Sequence, residues 1–170
     1  NRYEFKPTWL TNYEIIMNDR YVDFIKKIEK SGTGELGMHL HAWSTPPDYK
    51  ISIEENGQPY LIEYPENIME AKIKTMTDVI VERTGIKPVS HRAGRWAMDD
   101  RYFSLLAKYG YKYDCSVTPH IDWSNALGWT KNFGGSNYKD CLEQSYLDVS
   151  GIREIPVSIR KADRYIIPEQ

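Results

Sequence analysis

The sequence has few cysteines and no long apolar run. Cys115 and Cys141 are its only cysteines, too few for a disulfide-rich scaffold or a thiolate zinc site. They could form one bridge or remain as two reduced thiols, and we favour the thiols. No stretch approaches about 18 consecutive apolar residues, and no signal peptide is visible. The sequence therefore indicates no transmembrane segment, and it leaves open whether the compartment is the cytoplasm or the cell envelope.

An excess of charge of one sign is lacking too. Lysine and arginine number 22 and aspartate and glutamate 24, which gives a net charge of −2. The mixed run Lys26–Lys30 alternates in sign, as a solvated helix face does. We therefore expect no nucleic-acid partner and no anionic membrane surface. The 41% apolar and 13% aromatic residues are enough for the core of one domain, which we take to be residues 1–170.

Hydrophobic patterning predicts strands that alternate with helices. Helices are predicted to begin at Asn18 or Asp19, at Pro65, and at Asp99 or Asp100, and to end at glycines 32, 85 and 110. Strand patterns occupy five segments, which are Lys6–Thr11, Glu35–His41, Pro88–Gly94, Tyr111–Val117 and Glu154–Ile159. The range 118–150 lacks periodicity, so we predict a loop there with at most one short helix.

This order of elements is typical of βαβ units. We therefore predict an α/β fold with a parallel sheet that is either open or wound into a barrel. In both architectures the functional site lies at the carboxyl ends of the strands. Strand-like segments lie close to both ends of the chain, so we expect it to be a piece of a longer one.

Two histidines share one face of the second predicted strand. Residues alternate along Glu35–His41, which places two leucines and a methionine on one face and His39 and His41 on the other. Histidines at this spacing lie about 6 to 7 Å apart along a strand, so both could reach one tetrahedral ion where the strand ends. The alternative is a pair of neutral, hydrogen-bonded histidines in a polar barrel mouth.

The run Glu35–Trp43 (ELGMHLHAW), followed by His91–Trp96 (HRAGRW), resembles the polysaccharide deacetylase family, the NodB-homology carbohydrate esterases, in a divergent His-x-His branch. The resemblance extends from Pro7–Trp9 through the Asp114–Pro119 turn to Glu154–Val157. It implies a distorted, incomplete (β/α) barrel with one divalent metal, usually zinc, on two histidines and an aspartate. It also implies hydrolysis of the C–N bond of N-acetyl groups on a polysaccharide or glycan, such as a bacterial cell-surface glycan.

The resemblance also implies residue roles. In the family the metal polarises the acetamide carbonyl, an aspartate acts as base, and a late histidine protonates the leaving amine. His39 matches the first metal histidine, and Trp43 stands where the second usually lies, so His41 would substitute for it. Arg92 matches the third-motif arginine, which clamps the catalytic aspartate. Asp122 resembles the fourth-motif aspartate, although an aspartate in a loop is also a common turn residue.

Two family motifs are not visible in this sequence. A pair of aspartates on the opening strand should precede Asn1, and the late Leu-x-x-His motif is missing. We therefore expect either a chain truncated at both ends or a degenerate relative without catalysis. Three functions stay open: a deacetylase, a non-catalytic carbohydrate-binding module, and a structural α/β domain. An incomplete barrel leaves sheet edges unpaired, so self-association is also expected.

Aromatic residues gather in the predicted loops beyond the strand ends. Trp43, Trp96 and Trp123, together with Arg95, are candidate substrate-binding residues, because flat aromatic faces stack on sugar C–H groups. Further aromatics of these loops are Trp129, Tyr49 and Tyr60. The alternative is that these rings anchor the loops to the core. A sugar fits better than a nucleotide because the sequence has no phosphate-cradling glycine motif.

Two other histidines, His91 and His120, lie outside the His-x-His pair. We expect His91 to be packed or hydrogen-bonded inside the protein instead of binding a ligand. His120 follows a predicted strand and is a candidate third ligand or acid.

Overall fold

Strands and helices alternate along the chain, as predicted. The computed structural model describes residues 4–51, 58–128 and 133–159. The strands are β1 (Thr8–Thr11), β2 (Glu35–Leu40), β3 (Ser90–Ala93), β4 (Tyr113–Asp114), β5 (Tyr146–Leu147) and β6 (Arg153–Glu154). The helices are α1 (Tyr13–Ile16), α2 (Asp19–Ser31), α3 (Glu66–Thr84) and α4 (Asp100–Lys108), with 3-10 turns at Leu61–Glu63 and Gly94–Trp96.

The six strands form one mostly parallel sheet in the order β1-β2-β3-β4-β6-β5. Neighbouring strands from β1 to β6 run parallel, which confirms the predicted α/β class. The prediction of a loop or short helix across 118–150 was wrong at β5, which pairs antiparallel with β6. A tight turn explains the pairing: Gly151 has φ +88° and its N–H donates to the carbonyl of Asp148. The predicted strand Tyr111–Val117 is shortened to β4.

Side-chain and glycine caps set the helix ends. Asn18 Oδ1 accepts from the first-turn N–H groups of α2, and the side chain of Asp99 accepts from Tyr102 N in α4. Gly32 and Gly85 end α2 and α3 with φ values of +64° and +74°, in the left-handed region that favours glycine. These caps confirm the predicted boundaries, except that Pro65 precedes α3 instead of being its first residue and that α4 ends at Lys108, with Tyr109 and not Gly110 as its cap.

The main core lies between the helices and one face of the sheet. Leu36, Met38 and Leu40 of β2 are at most 2% exposed, which confirms the predicted alternation. They belong to one cluster with residues of α2, α3 and α4, among them Ile25, Met69, Ile73, Met76, Ile80, Tyr102 and Leu106. Within the described ranges, no helix is both long and apolar enough to cross a membrane. Because Leu36, Met38 and Leu40 face the core, His39 lies on the opposite face of β2.

Candidate functional site

The two histidines meet at the carboxyl end of β2. His39 lies in the strand opposite Arg92 of β3, and His41 follows the strand directly. Their ring centroids are 4.6 Å apart, with the planes inclined by 75°. The structure therefore brings together the two residues that the sequence predicts as metal ligands.

A main-chain carbonyl fixes the orientation of the His39 ring. His39 Nδ1 lies 2.8 Å from the carbonyl oxygen of Arg92, so Nδ1 carries the proton and donates it. Burial, together with the nearby charges of His41, His91 and Arg92, lowers the pKa of His39 to about 4, although the hydrogen bond to the Arg92 carbonyl opposes this shift. His39 is thus neutral at physiological pH, with its lone pair on Nε2. This is the tautomer that a metal-binding histidine uses when Nδ1 donates to a carbonyl.

His41 is held from three sides. Its Nδ1 lies 3.4 Å from Asn12 Nδ2 and 3.6 Å from Glu14 Oε1. The Trp43 indole stacks on the ring at a centroid distance of 4.4 Å and an angle of 18°. Trp43 therefore packs against a candidate ligand, and its predicted contact with a sugar stays a prediction.

Asn12 and Glu14 were missed by reasoning from the sequence. Both follow β1, and the rule that the site lies at carboxyl strand ends could have found them. Partial burial raises the pKa of the Glu14 carboxyl, but hydrogen bonds and the positive charge of a protonated His41 bring it below its usual value. Glu14 is therefore an anion beside His41 at neutral pH.

The described ranges supply two candidate metal ligands and no complete set. They hold no group of three histidine, cysteine, aspartate or glutamate side chains that could bind an ion. The two adjacent imidazoles suit zinc, which binds neutral histidine nitrogen. The donor set therefore fits part of a metal site.

Arg92 has a main-chain partner. Its Nε donates to the carbonyl oxygen of Cys115 at 2.9 Å, which links β3 to the segment after β4. Within the described part of the chain it forms no ion pair, so the carboxylate clamp stays a prediction. The carbonyl of Arg92 meanwhile orients His39. Arg92 thus joins the two neighbouring strands at the level of the histidine pair.

Asp122 occupies an exposed turn. Its Oδ1 accepts from the main-chain N–H of Ser124 at 2.8 Å. Hydrogen bonds from Ser124 lower the pKa of the Asp122 carboxyl. This is the turn geometry that the sequence offered as the alternative, and the catalytic role of Asp122 stays a prediction.

An aromatic surface follows β3. Arg95 and Trp96 have φ values of 56° and 55°, a strained conformation for residues other than glycine. Trp96 is 38% exposed and stacks on Trp123 at 5.6 Å and 11°. Trp123 Nε1 donates to Thr118 Oγ1 at 2.8 Å. The arrangement is an exposed aromatic ring stacked on a second ring that is fixed by a hydrogen bond.

Arg95 anchors this surface. Its guanidinium carbon lies 3.9 Å above the centre of the Tyr60 ring, and Nη2 donates to the Leu127 carbonyl at 2.9 Å. Nη1 also donates to the carbonyl of Gln58. Arg95 therefore links the loop after β3 to two other loops through these contacts. Trp129, a further aromatic residue of the sequence analysis, lies outside the described residues.

The remaining candidates have local partners. His91 is fully buried and hydrogen-bonded, as expected. His120 Nε2 lies 2.8 Å from Glu143 in an exposed pair, and its role as ligand or acid stays a prediction. Cys115 and Cys141 are both free, which agrees with the expectation of reduced thiols.

Solved structures share this architecture. No protein-family model matches the sequence, and no curated protein sequence does either. A protein from Mycobacterium smegmatis assigned as a polysaccharide deacetylase superposes with a TM-score of 0.57 at 19% identity, over 92% of this chain and 42% of that one. This chain has the polysaccharide deacetylase fold. The predicted incomplete (β/α) barrel is therefore confirmed.

Two carbohydrate esterases superpose less closely. A family 4 carbohydrate esterase from Streptomyces lividans, in complex with acetate, gives a TM-score of 0.45 at 17% identity, over 73% of this chain and 56% of that one. A family 4 acetyl xylan esterase from Clostridium thermocellum, in complex with a cobalt ion, gives 0.46 at 17% identity, over 74% and 51%. This polysaccharide deacetylase-fold chain thus spans less than two thirds of each of the three proteins.

Proposed function

We propose that the chain belongs to a metal-dependent hydrolase that removes N-acetyl groups from a polysaccharide or glycan by cleaving a C–N bond. The observation that carries the proposal is the His39–His41 pair at the carboxyl edge of the deacetylase-fold sheet. His39 is neutral and its Nδ1–H is engaged by the Arg92 carbonyl, so Nε2 is available to bind a cation.

His39 and His41 would hold a divalent ion, with zinc the first candidate. Such an ion supplies a Lewis acid for the acetamide carbonyl and acidifies a bound water. Glu14 is the one carboxylate within the described ranges that contacts either histidine, and it orients His41 through Nδ1. We assign no catalytic base to a described residue, and a third ligand would have to come from elsewhere in the protein.

Zinc titration by calorimetry tests the proposal directly. The chain should bind about one ion, and His39→Ala and His41→Ala should each weaken binding by roughly tenfold or more. His120→Ala is the matched comparison: it should leave binding unchanged if His120 only pairs with Glu143, and weaken binding if His120 is a third ligand. No binding by the wild-type chain, or unchanged binding by His39→Ala and His41→Ala, would remove metal dependence from the proposal. Acetate release from N-acetylated oligosaccharides, with zinc added, then tests the reaction itself.

Asp122 has its own test within this proposal. If it takes part in catalysis, Asp122→Asn should lower acetate release while leaving zinc affinity unchanged. Unchanged release would leave Asp122 as a turn residue only, as its hydrogen bond to Ser124 indicates.

A carbohydrate-binding module is the second candidate function, favoured by the exposed Trp96 ring that stacks on Trp123. N-acetylglucosamine oligomers should shift the indole signals of this stack in NMR spectra, and Trp96→Ala should abolish the shifts. Trp9→Ala is a suitable control, since Trp9 is 37% exposed but packs edge-on against Phe24. Sugar binding without zinc binding or acetate release would favour this function over hydrolysis.

A further inference from the structure

Lys72 is a buried cation on the core face of α3. It is 2% exposed, and its helix neighbours Met69, Ile73 and Met76 belong to the core. Burial lowers the pKa of Lys72 to about 8, and Asp48 offsets only part of that effect. Within the described residues Lys72 forms no ion pair, and a buried ammonium without one must find strong acceptors.

Two carbonyls of one loop are those acceptors. Lys72 Nζ donates to the Thr45 carbonyl at 2.6 Å and to the Pro47 carbonyl at 2.8 Å. The Tyr64 ring covers the ammonium, with its centre 5.0 Å from Nζ. The loop that follows β2 is thereby attached to α3 by charge-assisted hydrogen bonds.

The same loop forms a turn around His41. The N–H of Thr45 donates to the His41 carbonyl at 3.1 Å, and Ser44 N–H lies 3.4 Å from it. Trp43, inside this turn, stacks on the His41 ring. Displacing Thr45 would therefore move the residue that supports the His41 imidazole.

We propose that Lys72 is a positioning residue for His41, acting through the two carbonyls that it holds and through Trp43. This inference rests on the proposed function for its consequence in metal binding, but the coupling from Lys72 to His41 exists without a metal. Lys72 contacts neither histidine, so it acts on the site only through the loop.

The test compares Lys72→Met with Lys74→Met. Methionine keeps the apolar stem and removes the donors, while Lys74 lies on the same helix, is exposed and pairs with Asp78. Histidine-selective NMR of the metal-free chain should show displaced or broadened ring signals for His41 in Lys72→Met. The signals of His91 and His120 should stay in place, and Lys74→Met should match the wild type. A merely structural role for Lys72 would not single out His41.

Zinc calorimetry gives the second readout. Lys72→Met should lose roughly tenfold in affinity, as substitutions of residues that orient a metal ligand do, and Trp43→Ala combined with it should add little more. If Lys72→Met does not fold, Lys72→Gln replaces it, because the amide keeps one donor and should give a smaller change of the same kind. Wild-type His41 signals in a folded variant would overturn the proposal. A displaced His41 in a chain that binds no zinc would instead uphold the positioning role and reject the metal-dependent function.

Discussion

His91 and Asp114 form a fully buried pair, with His91 Nδ1 2.5 Å from Asp114 Oδ1 and neither side chain exposed. His91 Nε2 lies 2.8 Å from the Tyr102 hydroxyl of α4. Ser116 donates to Asp114 through both its N–H and its hydroxyl, and the same hydroxyl accepts from Ala93 N. The network ties β3 to β4 and α4, so it supports the strand end that carries Arg92.

Glu154 is a fully buried carboxyl beside this network. Burial and the neighbouring Asp114 carboxylate raise the pKa of Glu154 to about 10, and its Oε1 accepts from Val117 N at 3.0 Å. A carboxyl that keeps its proton in the folded chain but loses it near pH 4.5 when unfolded stabilises the fold less as pH rises from 4.5 to 10.

Glu154→Gln should therefore flatten the pH dependence of stability. The amide is neutral at every pH and can still accept from Val117, so the variant should gain stability relative to the wild type between pH 6 and pH 9. Urea unfolding at both pH values measures the difference in free energy of unfolding. Parallel behaviour of the two proteins would contradict a protonated Glu154.

His39 should remain neutral well below pH 6. Because its pKa is lowered to about 4 mainly by burial, its ring signals in histidine-selective NMR should show no inflection between pH 5 and pH 8. The stability that neutral His39 contributes is complete above the unfolded pKa of 6.5 and is lost as pH falls towards 4. An inflection near pH 6.5 would mean that the His39 ring is solvated instead of buried in solution.

Gly94→Ala should open the sheet beside His41. A Cβ at this position would lie 2.5 Å from the Leu40 carbonyl oxygen and 3.3 Å from the His41 ring, so the strand ends must separate. Overpacking of this kind costs about 1–3 kcal/mol in the free energy of unfolding. Urea unfolding together with zinc calorimetry measures both effects, and unchanged values in both would show that the two strand ends move apart freely.

The sheet edge at β5 should promote self-association. Leu147 is 62% exposed on this edge strand, and neighbouring Val149 is fully exposed. We expect dimers or larger species by light scattering as concentration rises, and Leu147→Lys should reduce them because a charge on an edge strand opposes pairing. A monomeric wild-type chain at high concentration would refute this expectation.

The sequence determined the local structure because local structure depends on near neighbours. The alternation in Glu35–Leu40 was enough to place His39 on the face opposite the core, and caps such as Asn18 and Gly32 marked the ends of α2. The strand–helix order then located the site at the carboxyl ends, where Asn12 and Glu14 also lie because both follow β1. The hydrophobic period and the helix caps each depend on residues that are close in the sequence, so both can be predicted without coordinates.

Tertiary structure decided which buried polar groups meet. Lys72 donates a hydrogen bond to the Thr45 carbonyl, 27 residues away in the sequence, and His91 is hydrogen-bonded to Asp114, 23 residues away. The residues next to Lys72 and His91 in the sequence do not predict these partners, because the partner depends on how helices and strands pack. Burial then shifts pKa values, as it raises that of Glu154, so that the folded chain carries fewer charges than its composition indicates. The sequence therefore identified the histidine pair, whereas packing alone fixed the tautomer of His39, the support of His41 and the charges around both.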